Sequence, residues 1–180
     1  MSRLIKFIFS SATRLILRDL AFMTPLLFFA ASSRAAEVVA LGASNTYGQG
    51  VERGEDFPAQ LEKLLHVKGF KVSVANAGVS GETTDGMRAR LDAALSTDTR
   101  VLLLQPGGND SRHGMSASQT QDNVASIKAA AAARHIRVVM VPNPMFRGLP
   151  HQSDGMHLTP EGYRTLAEEL EASVASALRR

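Results

Sequence analysis

The chain has no cysteine and no tryptophan, and only two of its 180 residues are tyrosine. Without cysteine there is no disulfide framework and no lipobox residue for lipidation, so stability rests on the apolar core alone. A paired HExxH-like zinc motif is missing as well. No run of lysine and arginine with interleaved aromatics occurs, which argues against a nucleic-acid partner. The formal charge of +3 and a pI near 9.6 do not revive that reading, because the excess sits at one end. Arg3, Lys6, Arg14, Arg18 and Arg34 face only Asp19 in residues 1–36, whereas 37–180 hold 15 basic and 16 acidic side chains.

What is present is ordinary globular composition, 44% hydrophobic and 21% charged, in a length that suits one domain. Residues 1–36 read as an export leader: basic residues up to Arg18, an uncharged stretch Leu20–Ala31, then small residues. That stretch is shorter than the roughly 20 apolar residues of a membrane span. Cleavage within 33–36 is expected, which would make the protein periplasmic or secreted. Membrane contact is left only to an uncleaved leader. Residues 37–180 then form the folded domain.

From Glu37 onward, short Val/Leu-rich runs alternate with helical patterns, the signature of βαβ units and a mostly parallel sheet. Strands are expected at Val38–Gly42, Val72–Ala75, Val101–Leu104 and Val138–Val141. Helices are expected near Pro58–Val67, Thr84–Leu95 and Ser118–Arg134, and from Pro160, N-capped by Thr159, to Leu178. In such sheets ligands sit beyond the carboxyl ends of the strands. The segments found there are polar or glycine-rich: Gly42–Asn45, Asn76–Gly78, Gly107–Asp110 and the loop Asp154–His157.

Those segments supply the parts of an acyl-transfer site. Ser44 stands after a strand and a glycine as a candidate nucleophile. Asp154 and His157, three apart before the last helix, are spaced for the carboxylate to accept from the imidazole Nδ1–H, leaving Nε2 to take a serine proton. Gly78 and Asn109 can present an N–H and a side-chain amide to a developing oxyanion. Singly, each has a plainer reading: Ser44 as a turn or N-cap serine, His157 as a packed histidine, Gly78 and Asn109 as turn residues. Asp154, His157 and His151 could alternatively hold a metal.

Together they resemble a family. Gly42-Ala43-Ser44-Asn45-Thr46-Tyr47-Gly48, Asn76 to Thr84, Gly107-Gly108-Asn109-Asp110 and Asp154 to Tyr163 are similar to the four sequence blocks of the SGNH, or GDSL-type, hydrolases. The nearest branch is the secreted arylesterase, lysophospholipase and thioesterase group. The resemblance implies a flavodoxin-like three-layer α/β/α sandwich. It also implies a triad of Ser44, His157 and Asp154, and an oxyanion hole of the Ser44 backbone, Gly78 and Asn109. A small-molecule ester substrate is implied, with no metal or organic cofactor.

Two departures matter. The family usually carries Asp where this chain has Ala43, so the hydrogen bonds that steady the nucleophile loop must be absent or replaced. Only twelve residues, 142–153, separate the fourth strand from Asp154, which predicts a cleft open on that side. The α/β-hydrolase elbow Gly-x-Ser-x-Gly fails because residue 46 is Thr. Ala43 leaves open a non-catalytic carbohydrate- or lipid-binding module, and a carbohydrate O-acetylesterase is a further alternative. Asp110 and His113 read as a solvated turn, His66 and His135 as surface caps, and Tyr163, Met115 and Met156 as packing residues, with Met156 within reach of substrate.

Overall fold

The computed structural model describes residues 36–179. The expected leader, all but Ala36, lies outside them, as does its cleavage. Four strands form one parallel sheet in the order β2-β1-β3-β4: β1 Val38–Gly42, β2 Val74–Gly78, β3 Val101–Leu104 and β4 Arg137–Met140. The register sets Val38 beside both Val74 and Val101, and Val101 beside Arg137. Strands β1 and β3 are buried along their whole length, as central parallel strands covered on both faces must be.

Alternation of side chains along these strands makes two cores. Val38, Ala40, Val101 and Leu103 pack under helices α2 (Phe57–Val67) and α6 (Pro160–Arg179). Val39, Leu41, Leu102 and Leu104 pack on the other face against α3 (Thr84–Ala89), α4 (Leu91–Ala94) and α5 (Ala117–Ala133). A short helix α1, Ser44–Tyr47, follows β1. The result is a three-layer α/β/α sandwich, and its strand order turns back between β1 and β3. Ligand crevices in open sheets form at that reversal.

Each long helix starts on a side-chain cap. Asp56 accepts from Ala59 N–H, Ser116 and Gln119 form a reciprocal capping box, and Thr159 Oγ1 accepts from Gly162 N–H. Two elements depart from the sequence reading by more than one residue. The second strand runs Val74–Gly78 instead of Val72–Ala75, because Val72 packs in the α2–α6 core while Asn76, Ala77 and Gly78 pair with β1. The helix expected over 84–95 breaks at Arg90, whose guanidinium is drawn to Glu82 and to Ala77 O. Among the described residues no helix is long and apolar enough to cross a membrane.

Asp110 is a correction. It is not a solvated turn residue but 4% exposed, and it accepts from Thr84 N–H at 2.8 Å, Thr84 Oγ1 at 2.5 Å and Thr120 Oγ1 at 2.6 Å. One carboxylate thus fastens the loop after β3 to the starts of α3 and α5. Removing it strands three donors, and Asp110→Ala should lower unfolding free energy by about 3 kcal/mol or more in urea titration. A loss of only a few tenths would return Asp110 to the surface class.

Candidate active site

Ser44 is the first residue of α1, placed at the carboxyl edge of the sheet by the turn Gly42-Ala43. That turn needs glycine: a Cβ at Gly42 would overlap Thr46 Oγ1 and press on Gln105. Gln105, 3% exposed at the end of β3, takes up the support that Ala43 cannot give. Its Oε1 accepts from Ala43 N–H at 3.0 Å and from Thr46 Oγ1 at 3.2 Å, while its Nε2 reaches Asn143 Oδ1 and Pro106 O at 3.4 Å.

On the other side of Ser44 is the loop before α6. Asp154 Oδ2 accepts from His157 Nδ1 at 2.6 Å, and Oδ1 accepts from the N–H groups of Met156 and His157 at 2.9 and 3.0 Å. These bonds, His157 N–H first, then Met156 N–H and the imidazole, hold the Asp154 carboxyl well below the usual carboxylate range. With Nδ1 committed to Asp154, the neutral imidazole carries its lone pair on Nε2, which is buried and meets no partner among the described residues. Asn45 joins the two halves. Its Nδ2 donates to Met156 O at 3.3 Å, and its Oδ1 accepts from Tyr163 O–H at 3.1 Å. Burial pushes the Tyr163 phenol up, so it stays a donor to Asn45. No hydrogen bond joins Ser44 Oγ to His157 Nε2, and such contacts are commonly loose until substrate arrives.

The oxyanion candidates divide. Asn109 is buried, and its Nδ2 donates to Glu82 O at 2.9 Å, leaving the second amide hydrogen for a ligand. The turn bearing that carbonyl is clamped by Arg90, which grips the Glu82 carboxylate through Nε at 2.6 Å and Nη2 at 2.5 Å. Gly78 does not fit its expected role. Its N–H donates to Asn76 Oδ1 at 2.9 Å, and its missing Cβ serves packing, since a side chain would overlap the backbone of Thr46 and Tyr47 in α1. Gly81, at φ 78°, precedes the carbonyl that holds Asn109, and its N–H meets no described residue.

A cavity of about 380 Å³ opens here, lined among others by Ser44, Asn45, Gln105, Asn109, Phe146 and Met156. The 142–153 connection contributes to its wall through a 3-10 turn, Asn143–Phe146. In a second hollow of about 530 Å³, between α2 and the 69–73 segment, His66 Nε2 donates to Val72 O and Glu62 accepts from Val74 N–H, whereas the buried Ser73 Oγ meets no partner among the described residues. His151 Nδ1 donates to Leu149 O, while Asp154 and His157 pair with each other. Among the described residues no three His, Asp or Glu side chains gather as metal ligands. His113 is exposed, and His135 sits at φ 58° just after α5.

A sequence model of the GDSL-like lipase/acylhydrolase family matches residues 40–174. The chain belongs to this family. It is 33% identical over 108 residues to esterase TesA of Pseudomonas aeruginosa, covering 59% of this chain and 54% of that protein. With thioesterase 1/protease 1/lysophospholipase L1 of Escherichia coli K12 it shares 32% over 126 residues, 67% of this chain and 58% of the other. The matched stretches thus span a little over half the length of these relatives. Solved structures of TesA (TM-score 0.69, 24% identity, 78% of this chain and 98% of that one) and of the psychrotrophic esterase EstA from Pseudoalteromonas (0.70, 18%, 79% and 98%) share the fold.

Sequence reasoning missed Gln105, though a polar residue directly after the apolar run Val101–Leu104 was a visible signal. The lowered Asp154 pKa carries a sign. A carboxylate held below its unfolded value stabilises the fold fully above about pH 4 and loses that contribution as pH falls further. The melting-temperature gap between wild type and Asp154→Asn at about pH 5 should therefore shrink between about pH 4 and pH 2. A gap that widens over that interval contradicts the assignment.

Proposed function

We propose that the domain hydrolyses carboxylic esters through Ser44, His157 and Asp154 by way of an acyl-enzyme. The observation that carries the reading is the Asp154–His157 pair at 2.6 Å, with Nε2 partnerless and its loop tied to the Ser44 helix through Asn45. His157 Nε2 takes the Ser44 hydroxyl proton as Oγ bonds to the carbonyl carbon. Asp154, ionised, keeps the proton on Nδ1 and stabilises the imidazolium. The tetrahedral oxyanion is met by the Ser44 N–H, the free Asn109 amide hydrogen and the Gly81 N–H, which we prefer to the engaged Gly78 N–H. Collapse breaks the bond to the alcohol, which leaves with the proton from His157. Water, deprotonated by the same nitrogen, then attacks the acyl carbon, and the Ser44 Oγ–acyl bond breaks as His157 returns the proton to Oγ and the acid is released.

The ester class is supported by relatives named esterase, thioesterase/lysophospholipase and arylesterase, the last from Vibrio mimicus. Aryl or short alkyl esters, thioesters, lysophospholipids and acetylated sugars all remain within that class. Export through residues 1–36 would put the activity outside the cytoplasm. Ala43 favours one rival, a binding module without turnover. An organophosphonate separates the two, because only an activated Ser44 takes the label.

Ser44→Ala and His157→Ala should each remove nearly all turnover of p-nitrophenyl acetate, and the double variant should lose little more than either single one. Asn109→Ala should lower kcat by roughly 10²–10³ with little change in KM. Losses that multiply in the double variant would sink the triad. Near-normal kcat with reduced stability in Asn109→Ala would make that residue purely structural.

A further inference from the structure

Seven of the ten arginines among the described residues are committed, and of the other three Arg53 lies outside the cavity beside Ser44. Arg88, Arg90, Arg134 and Arg164 pair with Asp85, Glu82, Asp92 and Glu168. Arg100 and Arg137 donate to the last carbonyls of α6, and Arg179 lies over the Phe70 ring. Arg112 and Arg147 are different: both line the cavity beside Ser44, and neither meets a carboxylate among the described residues. The nearest acceptors of Arg112 are weak and long, Met156 Sδ and Asn109 Oδ1, each at 3.5 Å. No Asp or Glu lines the cavity, and the carboxylates around it are engaged: Asp154 by His157, Asp110 by Thr84 and Thr120, Glu82 by Arg90.

A domain with near-equal numbers of acidic and basic side chains thus has two exposed arginines, and no carboxylate, among the residues lining the cleft beside Ser44. Two like charges at one cleft raise a positive potential there, and the planar fork of arginine suits carboxylate and phosphate oxygens. We propose that Arg112 and Arg147 form an anion subsite of the cleft, so that the ester it accepts carries a carboxylate or phosphate close to the scissile bond. The catalytic consequence rests on the esterase reading; the binding does not.

Matched pairs test it: monoethyl succinate against ethyl butyrate, 3-acetoxybenzoate against its methyl ester, and acetyl glycerol 3-phosphate against glycerol monoacetate. They place the charge on the acyl or the alcohol side and separate carboxylate from phosphate. A charge-assisted hydrogen bond is worth about tenfold or more, so kcat/KM should favour the anion by about tenfold in at least one pair, chiefly through KM. That ratio should fall at high salt and in Arg112→Gln and Arg147→Gln, and hold in Arg53→Gln, a cation outside the cavity. Because both members of a pair are measured on one variant, any effect of Arg112 on Asn109 cancels. Binding of monoethyl succinate and glycerol 3-phosphate to Ser44→Ala, followed by NMR titration, gives a readout independent of turnover. It should weaken about tenfold when Arg147→Gln is added. Esters hydrolysed without charge preference, with no anion bound by Ser44→Ala, overturn the subsite and leave the esterase reading standing. Arginine-dependent binding in a protein that cleaves no ester does the reverse.

Discussion

Ser44 stands at the edge of the sheet because two paired strands end in glycine. Gly42 and Gly78 lie side by side in the β1–β2 register, and α1 sits across them. A Cβ on Gly42 would overlap Thr46, and one on Gly78 would enter the backbone of Thr46 and Tyr47. Bulk at either position lifts α1 off the sheet, and with it the Ser44 hydroxyl and N–H and the Asn45 side chain. Overpacking of this kind shifts backbone by forcing it, and a packed interior transmits that strain. The rest of the site is arranged around the place those two glycines leave.

From that place, two sets of fastenings run outward. On one side, Glu82 and Arg90 clamp the turn after β2, the Glu82 carbonyl orients Asn109, and Asp110 pins the next loop to α3 and α5. On the other, Asn45 ties α1 to the Met156 carbonyl and to Tyr163 in α6. Gly162 lets α6 begin against Pro150 O, where a side chain would collide, and Gln152 bridges Gln49 O and Leu158 O. The histidine loop is therefore held from α1, from α6 and from the 142–153 connection together. A constellation assembled from four separate segments needs such support if its atoms are to stay within a fraction of an ångström of productive geometry.

The sequence carried the layers and much of this constellation in plain view. Val38–Gly42 and Val101–Leu104 were readable because strands buried on both faces must be apolar throughout, and Thr159-Pro160 because a capped helix start is a local signal. Asp154 and His157 were readable because their contact is local as well, three residues apart. What escaped was long-range. Gln105 meets Ala43 from 62 residues away and Asp110 meets Thr84 from 26, and no local pattern announces either contact. At Gly78 glycine marked a close backbone approach, and the approaching element is α1, with the Gly78 N–H donating to Asn76 Oδ1.

The exchange of a carboxylate for Ala43 and Gln105 has an electrostatic side. Ala43 is buried beside Ser44, so a carboxylate there would sit in a poorly solvated place next to where negative charge would develop in the proposed acyl transfer. Two unit charges about 4 Å apart interact by about 4 kcal/mol at an effective dielectric near 20, so a fixed anion so close opposes the oxyanion unless other donors neutralise it. An amide avoids the conflict. Gln105 accepts from Ala43 N–H and Thr46 O–H as a carboxylate could, yet it adds no charge, and its own N–H groups turn away toward Asn143 and Pro106. With Arg112 resting on Asn109 and no acidic side chain lining the cavity, the field around Ser44 is set by donors and cations, apart from Asp154 behind the imidazole. That is the polarity the proposed oxyanion would require, with a neutral support under Ser44.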